Sequence, residues 1–158
     1  MNNNSMSVIV RTVTRFMYGL IILFGFYVIM HGHLTPGGGF QGGAVVASAF
    51  ALLLVAFGSA GLKGQLNLHW LQSIEEFGAL AFLGLAFLGI GTAFFYNLFA
   101  NSGGFLFGAS VPTGSNAGVL TAGGLVPLMN WAVGLKVMTG IAAVVIVMLV
   151  GSHKEETE

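Results

Sequence analysis

The chain has very little charge. Only 6% of its 158 residues are Asp, Glu, Lys or Arg, against about 25% in an ordinary globular domain. Aspartate and cysteine are absent altogether, and there are three prolines. So few charges cannot cover a water-soluble surface, so a bilayer must replace water as the solvent for most side chains. Three of the five glutamates, Glu155, Glu156 and Glu158, sit at the C-terminal end, which leaves the rest almost without acids. Without cysteine there are no disulfides, thiolate nucleophiles or Cys-based metal or iron–sulfur sites, and the redox compartment stays open. The formal net charge is zero, so nothing favours nucleic acid as a partner.

What is present is apolar: 56% of residues are hydrophobic and the mean hydropathy is +0.91. Four apolar stretches stand out, Val13–Met30, Gly43–Ala60, Phe77–Ala100 and Trp131–Val150, each near the ~20 residues that cross a bilayer as a helix. The first follows Arg11 and Arg15 but has no A-x-A-like cleavage site, and so reads as a retained helix. The intervening segments are 31–42, 61–76 and 101–130; the first and third are rich in Gly and hold Pro36, Pro112 and Pro127, which are turn and breaker signals. The expected fold is all-α, a polytopic membrane protein with about four transmembrane helices. It forms a single membrane domain over residues 1–158, with 151–158 as a tail.

Four spans put both termini and the middle loop on one side. That side collects Arg11, Arg15, Lys63 and Lys154, and the other two loops have no Lys or Arg. The positive-inside rule then places both termini in the cytoplasm of a multi-pass cell-membrane protein. Trp70 and Trp131 fall at the expected interfaces, where an indole keeps its N–H wet. Small residues at helical spacing, such as Gly43, Ala47 and Ala51, or Gly84 and Gly91, let backbones approach closely. Residues 101–130 carry no charge but include Phe105, Leu106, Phe107 and Leu125. They are expected to be buried against other protein as a re-entrant or short helical segment.

The segment from His31 to Gly43 (HGHLTPGGGFQGG) is the most unusual. Pro36 stops the first helix, and Gly37, Gly38 and Gly39 admit backbone angles closed to other residues. It is either a tight outer turn set by packing, with Phe40 beyond it, or part of an ion or proton path. Gly37, Gly39 and Gly42 satisfy G-x-G-x-x-G, but no strand precedes them and no acid follows about 20 residues on, which excludes dinucleotide binding. His31 and His33 are two apart, off a common helix face, with no acid nearby to complete a metal site. They read as an interfacial turn or a proton relay; His69, beside Trp70, reads as interfacial. No cofactor or metal is expected. Ser73 to Glu76 matches the S-x-x-E capping box, with proton entry or subunit contact as the alternative for Glu75. Lys136 lies inside an apolar stretch, where a charge needs a partner, water or a route to the surface. It either snorkels from about 7–8 Å beyond Trp131 or meets an acidic or backbone oxygen of a neighbouring element.

These residues fall into an order that resembles a known family: H-L-T-P-G-G-G-F-Q-G-G from His33 to Gly43, then Glu75, Glu76, Gly78 and Ala79, then P-L-M-N-W-A-V-G-L-K-V from Pro127 to Val137. The chain is similar, over nearly its whole length, to the MnhB-like family of small subunits in the Mrp (Mnh) multisubunit sodium/proton antiporters. The resemblance implies a small, non-catalytic helical component of a hetero-oligomeric membrane complex that moves Na+ and H+ across the lipid bilayer. Related modules belong to archaeal membrane-bound hydrogenase and sulfane-sulfur reductase complexes, which leaves those ion-pumping arms, or a purely structural scaffold, as alternatives. The resemblance makes His33, Pro36, Gly37, Gly38, Gly39, Phe40, Glu75, Glu76 and Lys136 the candidates for an ion path or for subunit packing.

Overall fold

Ser7 opens α1 (Val8–His31): its hydroxyl accepts a hydrogen bond from the Val10 N–H at 3.4 Å, satisfying one of the amides that every helix start leaves free. The computed structural model describes residues 6–62, 67–89, 91, 93–103, 105–111 and 118–155, and side chains for all of these except 59–62, 105 and 150–155. Three further helices follow, α2 (Gly39–Leu62), α3 (Leu68–Phe87) and α4 (Leu125–Glu155). Among the described residues all regular structure is helical, a short 3₁₀ turn at Phe105–Phe107 included.

Glycines set how the helices meet. A Cβ on Gly42 of α2 would come within 2.7 Å of the Gly25 carbonyl of α1, and a Cβ on Gly25 within 2.6 Å of Val46. As α1 runs from Gly25 to Ile29 it passes Val46 and then Gly42, so the two helices are antiparallel. A Cβ on Gly43 would meet the Gly134 carbonyl at 2.8 Å, and one on Gly39 would strike Asn130 and Val133, so α2 and α4 run parallel. A Cβ on Gly78 of α3 would meet the Ala132 carbonyl and Lys136 N at 2.9 Å, while Glu75 lies over Gly140, so α3 is antiparallel to α4. Directions therefore alternate along the chain, as successive membrane crossings require, and the start of α1 shares an end with the finish of α4. The apolar core along these seams is small-residue rich: Ala47, Ala49, Ala56, Ala86, Ala132 and Ala142 are buried with Ile29, Val46 and Leu54. Close backbone approach takes the place of large interdigitating side chains.

Among the described residues three helices, at Val8–His31, Gly39–Gly58 and Leu125–Leu149, are long and apolar enough to cross a membrane; α2 breaks at Gly58, where φ is 69°. The third helix, at 20 residues, is of spanning length. Its first half holds Gln72, Ser73, Glu75 and Glu76, which dilute its hydropathy.

Every helix begins earlier than the sequence expectation, α1 at Val8 instead of Val13 and α2 at Gly39 instead of Gly43, and the shifts of the third and fourth are the larger ones. The third helix begins at Leu68, not Phe77, and ends at Phe87, so the described residues that follow it, 93–100 among them, are not helical although they are apolar. Asn67 is its cap, accepting from the His69 N–H at 3.0 Å. Ser73 and Glu76 are therefore inside the helix, and the capping-box reading does not hold. The fourth helix begins at Leu125, not Trp131. Pro127 does not delay it, because proline in a first turn removes only an amide that has no helical partner. At its other end α4 runs to Glu155, into the segment read as a tail. Lys63, Pro112 and the last three residues, Glu156, Thr157 and Glu158, lie outside the described residues.

Turns and α4 hold each other. The Asn97 side chain donates to the Gly123 carbonyl at 3.0 Å and accepts from the Leu125 N–H at 2.8 Å, so a residue from the non-helical segment 93–100 caps α4.

Candidate functional site

The chain turns from α1 to α2 directly against the first turns of α4. Gly37 has φ +140°, a conformation that L side chains rarely adopt. Gly38 and Gly39 are buried, and their neighbour is Asn130, whose side-chain oxygen accepts from the Gly39 N–H at 3.4 Å. A Cβ on Gly32 would come within 2.5 Å of the Asn130 amide nitrogen, and one on Gly38 within 3.1 Å of its oxygen. The glycine run thus lets the hairpin close over one asparagine of α4. Sequence reasoning met Asn130 only as a loop boundary and as part of the family pattern. Beside it, Trp131 stacks on Phe26 with ring centroids 5.8 Å apart and donates its indole N–H to the Met30 sulfur at 3.1 Å. Trp131 is a packing residue within α4, not the marker of its outer boundary.

The two histidines diverge. His31 stacks on Tyr27 at 4.1 Å and its Nδ1 lies 3.3 Å from the Tyr27 carbonyl. His33 points toward the loop before α4, where a Cβ on Gly123 would meet its ring at 3.1 Å. Both His33 ring nitrogens are buried without a hydrogen-bond partner among the described residues, beside a cavity of 350 Å³ lined also by Leu34, Val111, Gly118, Val119, Ala122 and Gly123. Pro36 is exposed at the hairpin tip.

Glu75 and Lys136 come together. The Lys136 Nζ donates to Glu75 Oε1 at 3.0 Å, with 46% and 34% of the two side chains exposed. Lys136 stands close to the middle of the Leu125–Leu149 span, about 16 Å from the helix start at ~1.5 Å per residue. The earlier start of α4 makes it far deeper than the distance from Trp131 suggested. A lysine stem of four methylenes does not bridge that depth to the interface, so an acid on the facing helix is the physically available way to hold the charge. Two glycines make room for the pair. Gly78, one turn after Glu75, lets α3 approach the Lys136 backbone, and Gly140, one turn after Lys136, leaves the space where the Glu75 carboxyl lies 3.2 Å from a would-be Cβ. A glycine one turn from a lone charge in an apolar helix is the signal that could have found Gly78 and Gly140.

The pair lies in a groove of 840 Å³ between the start of α2, α3 and α4. Phe40, Val133, Val137, Ile141, Val144, Val147 and Met148 make it apolar, with Gln72 as the one further polar side chain. Phe40 is 61% exposed at its edge. The site candidates thus divide in two: Phe40, Glu75 and Lys136 share the groove, while His33, Pro36 and Gly37–Gly39 form the hairpin beside it. Glu76 is exposed on α3 and does not line the groove. Chemically, the groove offers a carboxylate that can hold a proton or a cation beside an ammonium that neutralises it.

Comparison with known proteins gives this arrangement its context. Residues 9–151 match the family model described as a domain related to the MnhB subunit of Na+/H+ antiporters. The chain belongs to the MnhB family. Its MnhB match takes in all four helices up to Gly151, and hence both halves of the site. An uncharacterized protein of Methanocaldococcus jannaschii is 38% identical over 125 residues, 78% of this chain and 45% of that one. A putative antiporter subunit of the MnhB type from Staphylococcus aureus strain Newman is 50% identical over 50 residues, 32% of this chain and 36% of that one. Among solved structures, a chain of the membrane-bound sulfane sulfur reductase, an archaeal respiratory membrane complex, superposes with a TM-score of 0.71 at 30% identity, over 90% of this chain and 58% of that one. The MnhB-family chain therefore spans about half the length of such relatives or less. Its fold is that of an all-α multi-pass membrane protein.

Proposed function

We propose that this chain is a small membrane subunit of an Mrp-type multisubunit cation/proton antiporter, helping to form and assemble the ion-translocation module. It does no covalent chemistry, and the ions moved are Na+ and H+. The observation that carries this reading is the Glu75–Lys136 pair at 3.0 Å, set mid-span in α4 and open to a groove instead of sealed in the core. A purely structural helix seam would be satisfied by the glycine contacts alone; a charge pair in hydrocarbon is costly and marks ion or proton pathways. The hairpin residues His33, Pro36, Gly37, Gly38 and Gly39 hold α4 in register beneath the turn. Glu76 serves subunit contact. Both termini face the cytoplasm, supported by the Lys/Arg bias of the sequence and by the alternating helix directions, which put the start of α1 and the finish of α4 at one end.

The likeness to a chain of the sulfane sulfur reductase complex favours a second reading, the equivalent subunit in the ion-pumping arm of a respiratory complex. One experiment separates the two: purify the native assembly through a tag on this chain, identify its partners, and measure cation-dependent proton exchange in proteoliposomes. The antiporter reading expects antiporter-like membrane subunits and exchange without any electron donor. Co-purifying redox subunits, with ion movement only during turnover, would replace it by the second reading.

A further inference from the structure

The end of the bundle where α1 finishes and α2 and α4 start is nearly bare of titratable groups. Residues 16–62 and 77–135 hold no Asp, Glu, Lys or Arg, so the side chains there that exchange a proton near neutral pH are the two histidines, His31 and His33. The elements around His33 bring it no charge. On α1 the nearest titratable group besides His31 is Tyr27, whose ring stacks on His31, and from Phe77 to Leu135 the sequence holds one more, Tyr96. The histidines are not equivalent. His31 has the Tyr27 ring and carbonyl beside it, whereas both His33 ring nitrogens are buried without a hydrogen-bond partner among the described residues, as is Asn130 Nδ2. These residues are neighbours, since Asn130 Nδ2 is the atom that a Cβ on Gly32 would strike. Buried polar atoms are costly to leave unmet, and three of them in one place mark a polar pocket in an apolar protein. The 350 Å³ cavity that His33 lines has the exposed Val111 and Val119 at its rim and room for several waters at ~30 Å³ each.

We infer that His33 is this chain's proton-binding residue on the side of the membrane away from the termini, exchanging protons with water held in the cleft before α4. This rests on the chain being part of a cation/proton-translocating complex. A neutral imidazole carries one N–H and one lone pair, so its ligand must both accept and donate, as water does. A half-turn of the ring about χ2 exchanges Nδ1 with Cδ2, the carbon 3.1 Å from where a Gly123 Cβ would stand, and turns a nitrogen toward the cleft that Gly123 lines. The proton comes from water, binds a ring nitrogen to give the imidazolium, and leaves to water again; no other bond is made or broken. A packing residue at this point needs no nitrogen, and among the described residues no group of three ligating side chains offers a metal site. The polar positions also follow α4 inward: His33 lies against Gly123 and Pro127, Asn130 stands one turn on, and Lys136 with Glu75 is about 14 Å beyond Pro127 at ~1.5 Å per residue.

The test uses the intact complex in proteoliposomes, with proton-coupled uptake of labelled sodium as the readout and assembly measured on the same preparations. His33→Gln keeps a hydrogen-bonding side chain that carries no proton near neutral pH, and uptake should fall about 10²-fold, the low end of what one placed proton carrier contributes. His33→Ala should fall as far and recover at least tenfold when imidazole is added, because the cleft admits a free proton carrier, whereas His31→Gln should take up sodium like the wild type. Val111→Trp, at the exposed rim, narrows the cleft without touching the core and should slow uptake severalfold, which keeps the test decisive if changes at His33 itself prevent assembly. Wild-type uptake by His33→Gln, a loss in His33→Ala that imidazole leaves unchanged in assembled complex, or unaltered uptake by Val111→Trp would each overturn the proposal and leave His33 as a packing residue. A wild-type complex that shows no proton-coupled sodium uptake would instead remove the functional reading, and the proposal with it.

Discussion

Replacing Gly39 by alanine perturbs the tightest point of the α2–α4 seam. The added Cβ would strike the Asn130 backbone carbonyl and lie 2.9 Å from the Val133 Cβ, whereas ordinary contacts begin near 3.4 Å. Neither atom is the far end of a flexible side chain, so the helices themselves must separate by about an ångström. Overpacking of this kind costs about 1–3 kcal/mol, and here the upper part of that range applies. Separation also lengthens the 3.4 Å bond from the Gly39 N–H to Asn130, worth about 1 kcal/mol. The better helix propensity of alanine offsets up to about 1 kcal/mol of this, leaving a net loss near 2–3 kcal/mol. Gly84→Ala is the matched control: a Cβ there meets nothing within 4 Å, and the change should be neutral or stabilise by about 0.5–1 kcal/mol. Thermal aggregation of the purified complex, followed by size-exclusion chromatography, should show Gly39→Ala melting roughly 4–10 °C lower and Gly84→Ala unchanged or higher. Coincident curves for the two variants would refute the claim that glycine at 39 is there for α4.

Asn97→Ala removes the cap of α4, whose Leu125 N–H it accepts at 2.8 Å; a loss of about 1 kcal/mol is expected, read as a lower melting temperature that Asn97→Asp restores only in part, since a carboxylate accepts from Leu125 but cannot donate to the Gly123 carbonyl. Glu75→Gln should impair assembly more than the double change Glu75→Gln with Lys136→Met, since the single variant strands an ammonium mid-span at about 2.5–3.5 kcal/mol; complex yield after detergent extraction checks the order, and equal yields would argue against pairing in the assembled state. A protease site placed after Glu158 should stay protected in intact cells and be cut in inverted vesicles, and cleavage from outside would reverse the assigned orientation.

The helices most legible in the sequence were those whose apolar runs end at strong breakers. The first two are bounded by Pro36 and the glycine run, and α4 lies largely where its hydropathy put it. The third helix was misplaced because hydropathy and helicity part company there. Gln72, Ser73, Glu75 and Glu76 look like a polar cap ahead of an apolar helix, yet they lie inside it because Glu75 has a charge to face on α4. Residues 88–100 look like its continuation, yet residues 93–100 are not helical and cap α4 through Asn97; Phe95 has φ 61°. Lys136 was legible as a charge in need of a partner, but the choice between partner and snorkelling depended on depth, which moved when α4 proved to start at Leu125. The hairpin glycines announced a tight turn. Their reason, Asn130, is 91 residues from Gly39 in sequence, and no local pattern connects the two.

The central claim is that the Glu75–Lys136 pair belongs to the ion-translocating machinery of the complex. The most direct test is cation-dependent proton exchange in inverted membrane vesicles carrying Lys136→Met, with Lys136→Arg beside it and complex assembly measured on the same membranes. The account predicts exchange strongly depressed in Met, retained to a greater degree in Arg, and assembled complex present in both. Normal exchange by the Met variant in fully assembled complex would contradict it, and would leave the pair as a packing contact between α3 and α4.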